Sequence, residues 1–167
     1  LLTKERGVFD ARAKSVRRIK GKLKGALELF MLSEIELAEG RSIDVITGSQ
    51  VIEPFENFRQ NLADTSVAFY LSEALIGLLS EGEPHPRVFN LFLDTLKELN
   101  RANLRDQKRE ILLSHFLTKL LEETGFKPEL FFCLKCGERI TEKGNCFDLE
   151  AGGLVCPDCQ RGSLNQL

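Results

Sequence analysis

Two pairs of cysteines constrain this chain more than any other feature. Cys133-Leu134-Lys135-Cys136-Gly137 and Cys156-Pro157-Asp158-Cys159 are both C-x2-C, separated by the 19 residues 137–155. Two intervening residues let both sulfurs of a pair turn toward one point, and two such knuckles complete a tetrahedron. Gly137 follows the first knuckle, where a tight turn needs an unhindered backbone. The spacing predicts one structural Zn2+ held by Cys133, Cys136, Cys156 and Cys159. Four thiolates close the coordination shell and leave no position for water, which argues against a catalytic metal. Two disulfides and free thiols are the competing readings. Disulfides need an oxidising compartment, for which nothing else in the sequence argues. A redox C-x-x-C wants a βαβ context, whereas this segment follows helical patterns. Cys146 is left over between the knuckles, as a free thiol or a substitute ligand.

The remainder of the chain divides by period. Residues 1–52 read as strands. Gly7 to Ala13 alternates, with Phe9, Ala11 and Ala13 on one face and Asp10 and Arg12 on the other. A second strand is predicted over Leu27–Leu37, a hairpin turn over Glu39–Ser42 and a third strand over Ile43–Thr47. Three strands do not close a barrel, so they pair with strands outside this chain or form a small open sheet. Pro54 marks the change to a helical period. Val67, Leu71, Ala74, Leu75 and Leu78 form one stripe, ended by Gly82 and Pro84. Pro86 suits a first helical position, ahead of Phe89, Phe92, Leu96 and Leu99. Leu113, Phe116, Leu117, Leu120 and Leu121 form a third stripe, with Gly125 as C-cap residue and Pro128 preventing continuation. The predicted organisation is α+β: strands over 1–53, a helical bundle over 54–127 and a zinc ribbon over 128–167.

Charge is distributed unevenly. The formal net charge is −2. Residues 1–25 nevertheless hold nine bases (Lys4, Arg6, Arg12, Lys14, Arg17, Arg18, Lys20, Lys22, Lys24) against Glu5 and Asp10, giving +7. The other 142 residues carry −9. A basic loop on an acidic body points to a local polyanion site, and these nine cations are the predicted DNA contacts. Phe9 and Phe30 lie near that loop as base-stacking candidates, with core placement the stronger expectation. No G-x-x-x-x-G-K-[S/T] phosphate loop occurs; Gly21-Lys22-Leu23 has Leu where a magnesium-binding hydroxyl belongs. His85 and His115, the two histidines, pair with no evident nucleophile, so no catalytic residue is proposed. No run of 18 uncharged apolar residues crosses a membrane. The chain starts Leu1-Leu2-Thr3, without Met, and its natural N-terminus is expected to lie upstream.

Taken together, these features resemble the bacterial RecO family of DNA repair and recombination mediators. The resemblance rests on Phe116, Leu120, Leu121, Gly125, Phe126, Pro128 and Leu130, followed by Cys133, Cys136 and Gly137, and on Glu150 to Cys159. Thr3–Gly7, Ala13–Arg18 and Leu27–Phe30 are similar to strands and loop of that family's N-terminal OB barrel. Ser15 stands where a Gly is usual, and Ser114-His115 where an Arg is common. The resemblance implies a partial OB-fold over 1–53, lacking about one and a half N-terminal strands, and missing helices after residue 167. It also implies a cytoplasmic, non-enzymatic mediator that associates with the nucleoid when active. Such proteins bind single- and double-stranded DNA, anneal strands coated by single-stranded DNA-binding protein, and act with RecR to help load RecA. The C-terminal tail of single-stranded DNA-binding protein would dock on the helical module, with Arg109, Phe116, Lys119 and Leu120 as partner-binding residues. The alternative is a zinc-ribbon interaction scaffold that binds no DNA; a zinc hydrolase is a third and weaker reading.

Overall fold

The computed structural model describes residues 1–13, 27–101 and 104–164, with side chains as far as Gln160. The protein is α+β and divides into two compact units, Leu1–Leu120 and Leu121–Leu167.

In the first unit, β1 (Leu2–Thr3) and β2 (Gly7–Val8) form a short antiparallel hairpin. β3 (Ala11–Ala13), β4 (Leu32–Ala38) and β5 (Asp44–Glu53) form a second sheet of order β3-β5-β4. β5 is central, parallel to β3 and antiparallel to β4. This matches the OB-fold implied by the sequence resemblance; among the described residues the sheet is open, with β3 and β4 at its edges.

The strand limits differ from the alternation pattern for physical reasons. The strand predicted over Gly7–Ala13 breaks into β2 and β3. The break falls after Val8, whose C=O accepts from Gly82 N–H (2.7 Å), while Phe9 N–H donates to Leu1 C=O (3.0 Å); the backbone bonds to those partners and enters the second sheet only at Ala11. The strand predicted from Leu27 begins only at Leu32, because Phe30 takes φ +57° and turns its ring to Phe58 and Phe69, 5.7 and 4.9 Å between centroids. β5 runs six residues beyond the predicted Thr47. Its Gly48-Ser49-Gln50 stretch has weak strand propensity, and pairing with β4 holds it extended.

Four helices follow: α1 (Glu56–Arg59), α2 (Leu62–Leu78), α3 (Pro86–Leu99) and α4 (Asp106–Glu123). Asn61 caps α2, its side chain accepting from the Ala63 and Asp64 amides. Pro86 opens α3, where its missing N–H costs nothing. α4 ends in a Schellman motif: Phe126 N–H donates to Leu121 C=O (2.8 Å), Gly125 N–H donates to Glu122 C=O (3.4 Å), and Gly125 sits at φ +83°.

The predicted stripes pack on one another with small shifts. Leu71 and Leu75 of α2, Val88 of α3, and Phe116 and Leu120 of α4 form one buried cluster. The inward residue of α3's first turn is Val88; Phe89 is half-buried. A second cluster joins Phe55, Phe58, Ala68, Leu96, Leu99 and Leu104.

The second unit begins at the end of α4. It contains the hairpin β6 (Cys146–Asp148) and β7 (Gly153–Val155), then α5 (Pro157–Leu164). Among its described residues only Cys133, Gly153 and Val155 are buried.

Candidate metal centre and nucleic-acid surface

The four knuckle cysteines converge. The sulfurs of Cys133, Cys136, Cys156 and Cys159 all lie within 4.8 Å of one another. The Cys136 and Cys156 sulfurs are 3.8 Å apart. A tetrahedral ion with Zn–S bonds of about 2.3 Å needs its sulfurs roughly 3.8 Å apart, so the donor set fits. No disulfide joins them.

Local backbone chemistry builds each knuckle. In the first, Cys133 N–H donates to Glu138 C=O (2.8 Å) and Gly137 N–H returns to Cys133 C=O (2.9 Å). Gly137 takes φ +75°, as the sequence spacing requires. The second knuckle is placed by β7, which ends one residue before Cys156, and by Pro157, which starts α5. The two knuckles meet because Leu134 N–H donates to Leu154 C=O (2.9 Å), while Glu129 exchanges backbone bonds with Gly152 and Leu154. Asp148 closes the hairpin turn by accepting from the Glu150 and Ala151 amides.

The amides also polarise the sulfurs. Cys156 N–H (3.3 Å) and Lys135 N–H (3.4 Å) both point at Cys133 Sγ. Amide donation, from Cys156 first, pulls the Cys133 thiol down to about 6. Cys159 is pushed up to about 12, chiefly by its hydrogen bond with the Cys156 thiol and then by that with Cys136. Four adjacent sulfurs resist ionising together, and a dication at their centre would remove that conflict. Cys146 is not in the cluster; it sits opposite Val155 in the β6–β7 register.

The predicted DNA contacts separate into two sets. Lys14, Arg17, Arg18, Lys20, Lys22 and Lys24 lie outside the described residues. Lys4 and Arg12 are exposed, on the β1–β2 turn and on β3. Arg6 is committed locally. It donates to Asp44 Oδ2 at 2.6 Å and covers the ring of Phe9 at 4.6 Å. Phe9 itself is buried, and Phe30 is half-buried between Phe58 and Phe69, so both rings serve packing.

The proposed partner residues are arranged differently from a docking groove. Phe116 and Leu120 are fully buried in the α2–α3–α4 cluster and offer a partner no surface. The physical reason is that α4 meets α2 and α3 along this stripe. Arg109 donates through Nε to buried Asp64 and through Nη1 to Asp106, both at 2.5 Å. The Asp64 bond raises the Arg109 pKa further. Lys119 is exposed on α4. The Asp64–Arg109 pair was missed in the sequence; an acid one turn inside an apolar stripe was its only signal.

Residues 1–55 match the family model for the recombination protein O N terminal, and residues 59–166 that for the recombination protein O C terminal. The DNA repair protein RecO of Dehalococcoides mccartyi strain 195 is 42% identical over 160 residues, 96% of this chain and 62% of that protein. Its counterpart in strain CBDB1 is 41% identical over 164 residues, covering 98% and 63%. RecO of Roseiflexus is 33% identical over 147 residues, covering 88% and 50%. The chain thus spans about three fifths of the length of the Dehalococcoides relatives it matches. With both family models matched in order along nearly its whole length, this chain belongs to the RecO family.

Proposed function

We propose that the protein acts in DNA repair as a DNA-binding recombination mediator. The observation that carries this reading is a cationic segment, +7 over residues 1–25, within a chain whose relatives are named DNA repair proteins. Lys14, Arg17, Arg18, Lys20, Lys22 and Lys24, with Lys4 and Arg12, would neutralise phosphates and release counterions. Two strands held on one cationic surface repel each other less and meet more often, which is the physical basis for annealing without nucleotide hydrolysis. On this reading residues 1–53 contact DNA, 54–127 form the helical scaffold and 128–167 are stapled by Zn2+ on the four cysteines. RecR and single-stranded DNA-binding protein would be its protein partners, with RecA loading the downstream result. The metal would supply structure only, since four sulfurs complete its shell.

The test is to replace Arg17, Arg18, Lys20 and Lys22 with Ala. Phosphate contacts carry no base information, so binding should weaken alike across sequences. If all four touch phosphates, the salt slope on duplex DNA should fall by about 3–4, at roughly 0.9 per contact. An unchanged slope would refute the phosphate role. A scaffold reading is favoured by one observation: Phe126, Phe131, Phe132, Phe147 and Leu149 are exposed in the second unit. It predicts no DNA binding at moderate salt, and that measurement separates the two.

A further inference from the structure

The four knuckle cysteines differ in their access to solvent. Leu134 to Arg139 form an exposed run, and Cys136 lies inside it. Cys133 is only 2% exposed, and Cys156 and Cys159 are half-buried. Cysteine oxidation follows thiolate character and access. A dication held by the four sulfurs would keep all of them ionised, because thiolate is the ligating form. Access then decides which sulfur an oxidant reaches, and it selects Cys136.

The position of the other sulfurs selects its partner. Cys136 Sγ lies 3.8 Å from Cys156 Sγ, across the two knuckles. Cys133, the other sulfur of its own knuckle, is held by the Cys156 and Lys135 amides at 3.3 and 3.4 Å. Cys159 is fixed within the first turn of α5, whereas Cys156 precedes that helix.

We propose that Cys136 is an oxidative modification site, at which hydrogen peroxide forms a Cys136–Cys156 disulfide and discharges the metal centre. The proposal rests on the zinc reading above and is independent of DNA binding. The Cys136 thiolate attacks one peroxide oxygen, forming an S–O bond as the O–O bond breaks and hydroxide leaves. The Cys156 thiolate then attacks that sulfur, forming the S–S bond and expelling a second hydroxide. Two protons from solvent convert both hydroxides to water. Two thiolates are thus oxidised by two electrons, and one peroxide is reduced to two waters. Cys133 and Cys159 remain, two ligands where a closed tetrahedral shell needs four. Among the described residues of the second unit only Cys133, Gly153 and Val155 are buried, so little else holds the ribbon once the ion is lost. A disulfide is reversible, and a dithiol with fresh zinc restores the site.

The test titrates the zinc-loaded intact chain with hydrogen peroxide beside a chromogenic zinc chelator, then maps the cysteines by differential alkylation. One ion should be released per peroxide consumed, with Cys136 and Cys156 recovered as one linked peptide pair. The Leu134 and Leu154 amides should lose exchange protection, and a dithiol with zinc should restore it. Cys136→His keeps four ligands without the exposed thiolate and should hold its ion through the same treatment. Cys159→His leaves the reacting pair intact and should release its ion as the wild type does. A loaded wild type that keeps its ion in excess peroxide would overturn the proposal. So would a disulfide lacking Cys136 or Cys156, or a Cys159→His chain as resistant as Cys136→His. A chain without metal before peroxide would fail the zinc reading, and the proposal with it; metal analysis at the start separates that result from an unreactive site.

Discussion

The two units of this chain are held together by different physics. Leu1–Leu120 buries two clusters of large side chains, with Phe55, Phe58, Leu71, Leu99, Phe116 and Leu120 at or below 1% exposure. Among its described residues, Leu121–Leu167 buries almost nothing by comparison. Phe126, Phe131, Phe132, Phe147 and Leu149 all stand exposed, and its most enclosed side chains include a metal-directed sulfur. A segment of this size cannot remove enough apolar surface from water to offset its chain entropy. Four cysteines converge at one point, where a bound ion would supply what a core does not. The comparison teaches that apolar content alone does not locate a core; topology must bring the residues to one place.

The sharpest way to break this contrast is to remove any metal that the four cysteines hold. Chelation, or Cys133→Ser, should unfold the second unit while leaving the first intact, since structural zinc supplies on the order of 10 kcal/mol of binding energy to small folds. Hydrogen exchange should show lost protection at the Cys133, Leu134 and Leu154 amides and retained protection through α2 and α3. Cys146→Ser should leave one metal per chain. Metal analysis finding no ion in reduced protein would remove the distinction between the units.

The reciprocal change is Phe116→Ala. It deletes a fully buried ring packed 6.0 Å from Phe92. Urea unfolding of the first unit should weaken by about 3–5 kcal/mol. Metal content should not change, because Phe116 belongs to the first unit. Equal losses in both units would show that they unfold as one.

Gly125→Ala probes the C-cap where α4 ends. A Cβ meets no obstacle there, so the penalty comes from φ +83° alone and should be about 1 kcal/mol. The smallest effect belongs to Asp44. The Arg6 guanidinium first, then the Gly40 amide, hold its carboxyl below the usual range. A lowered folded-state pKa adds stability above the unfolded value of about 3.9, and that stability is lost as pH falls through the folded pKa. Asp44→Asn should lower the first unit's stability slightly at neutrality and flatten its profile below about pH 4, where variant and wild type converge. A loss that persists undiminished in acid, well below about pH 4, would show that the residue's role is packing.

Much of this was legible because it is local. The two C-x2-C spacings bring four sulfurs together through turns a few residues long, so linear distance carries the geometry. Gly125 and Pro86 mark helix ends through their own backbone preferences. The stripes around Leu71, Leu96 and Phe116 name their inner faces by period. What those faces meet was decided by tertiary structure. A strand that alternation reads as continuous breaks after Val8, which pairs with backbone at Glu81 and Gly82, far along the chain. Phe30 leaves its strand for two rings, at positions 58 and 69, far along the chain. Phe116 and Leu120 are core because α2 and α3 close over them, and Arg109 is committed because Asp64 arrives from 45 residues away. Period reports which side of an element is apolar, while burial depends on what the rest of the chain places against it.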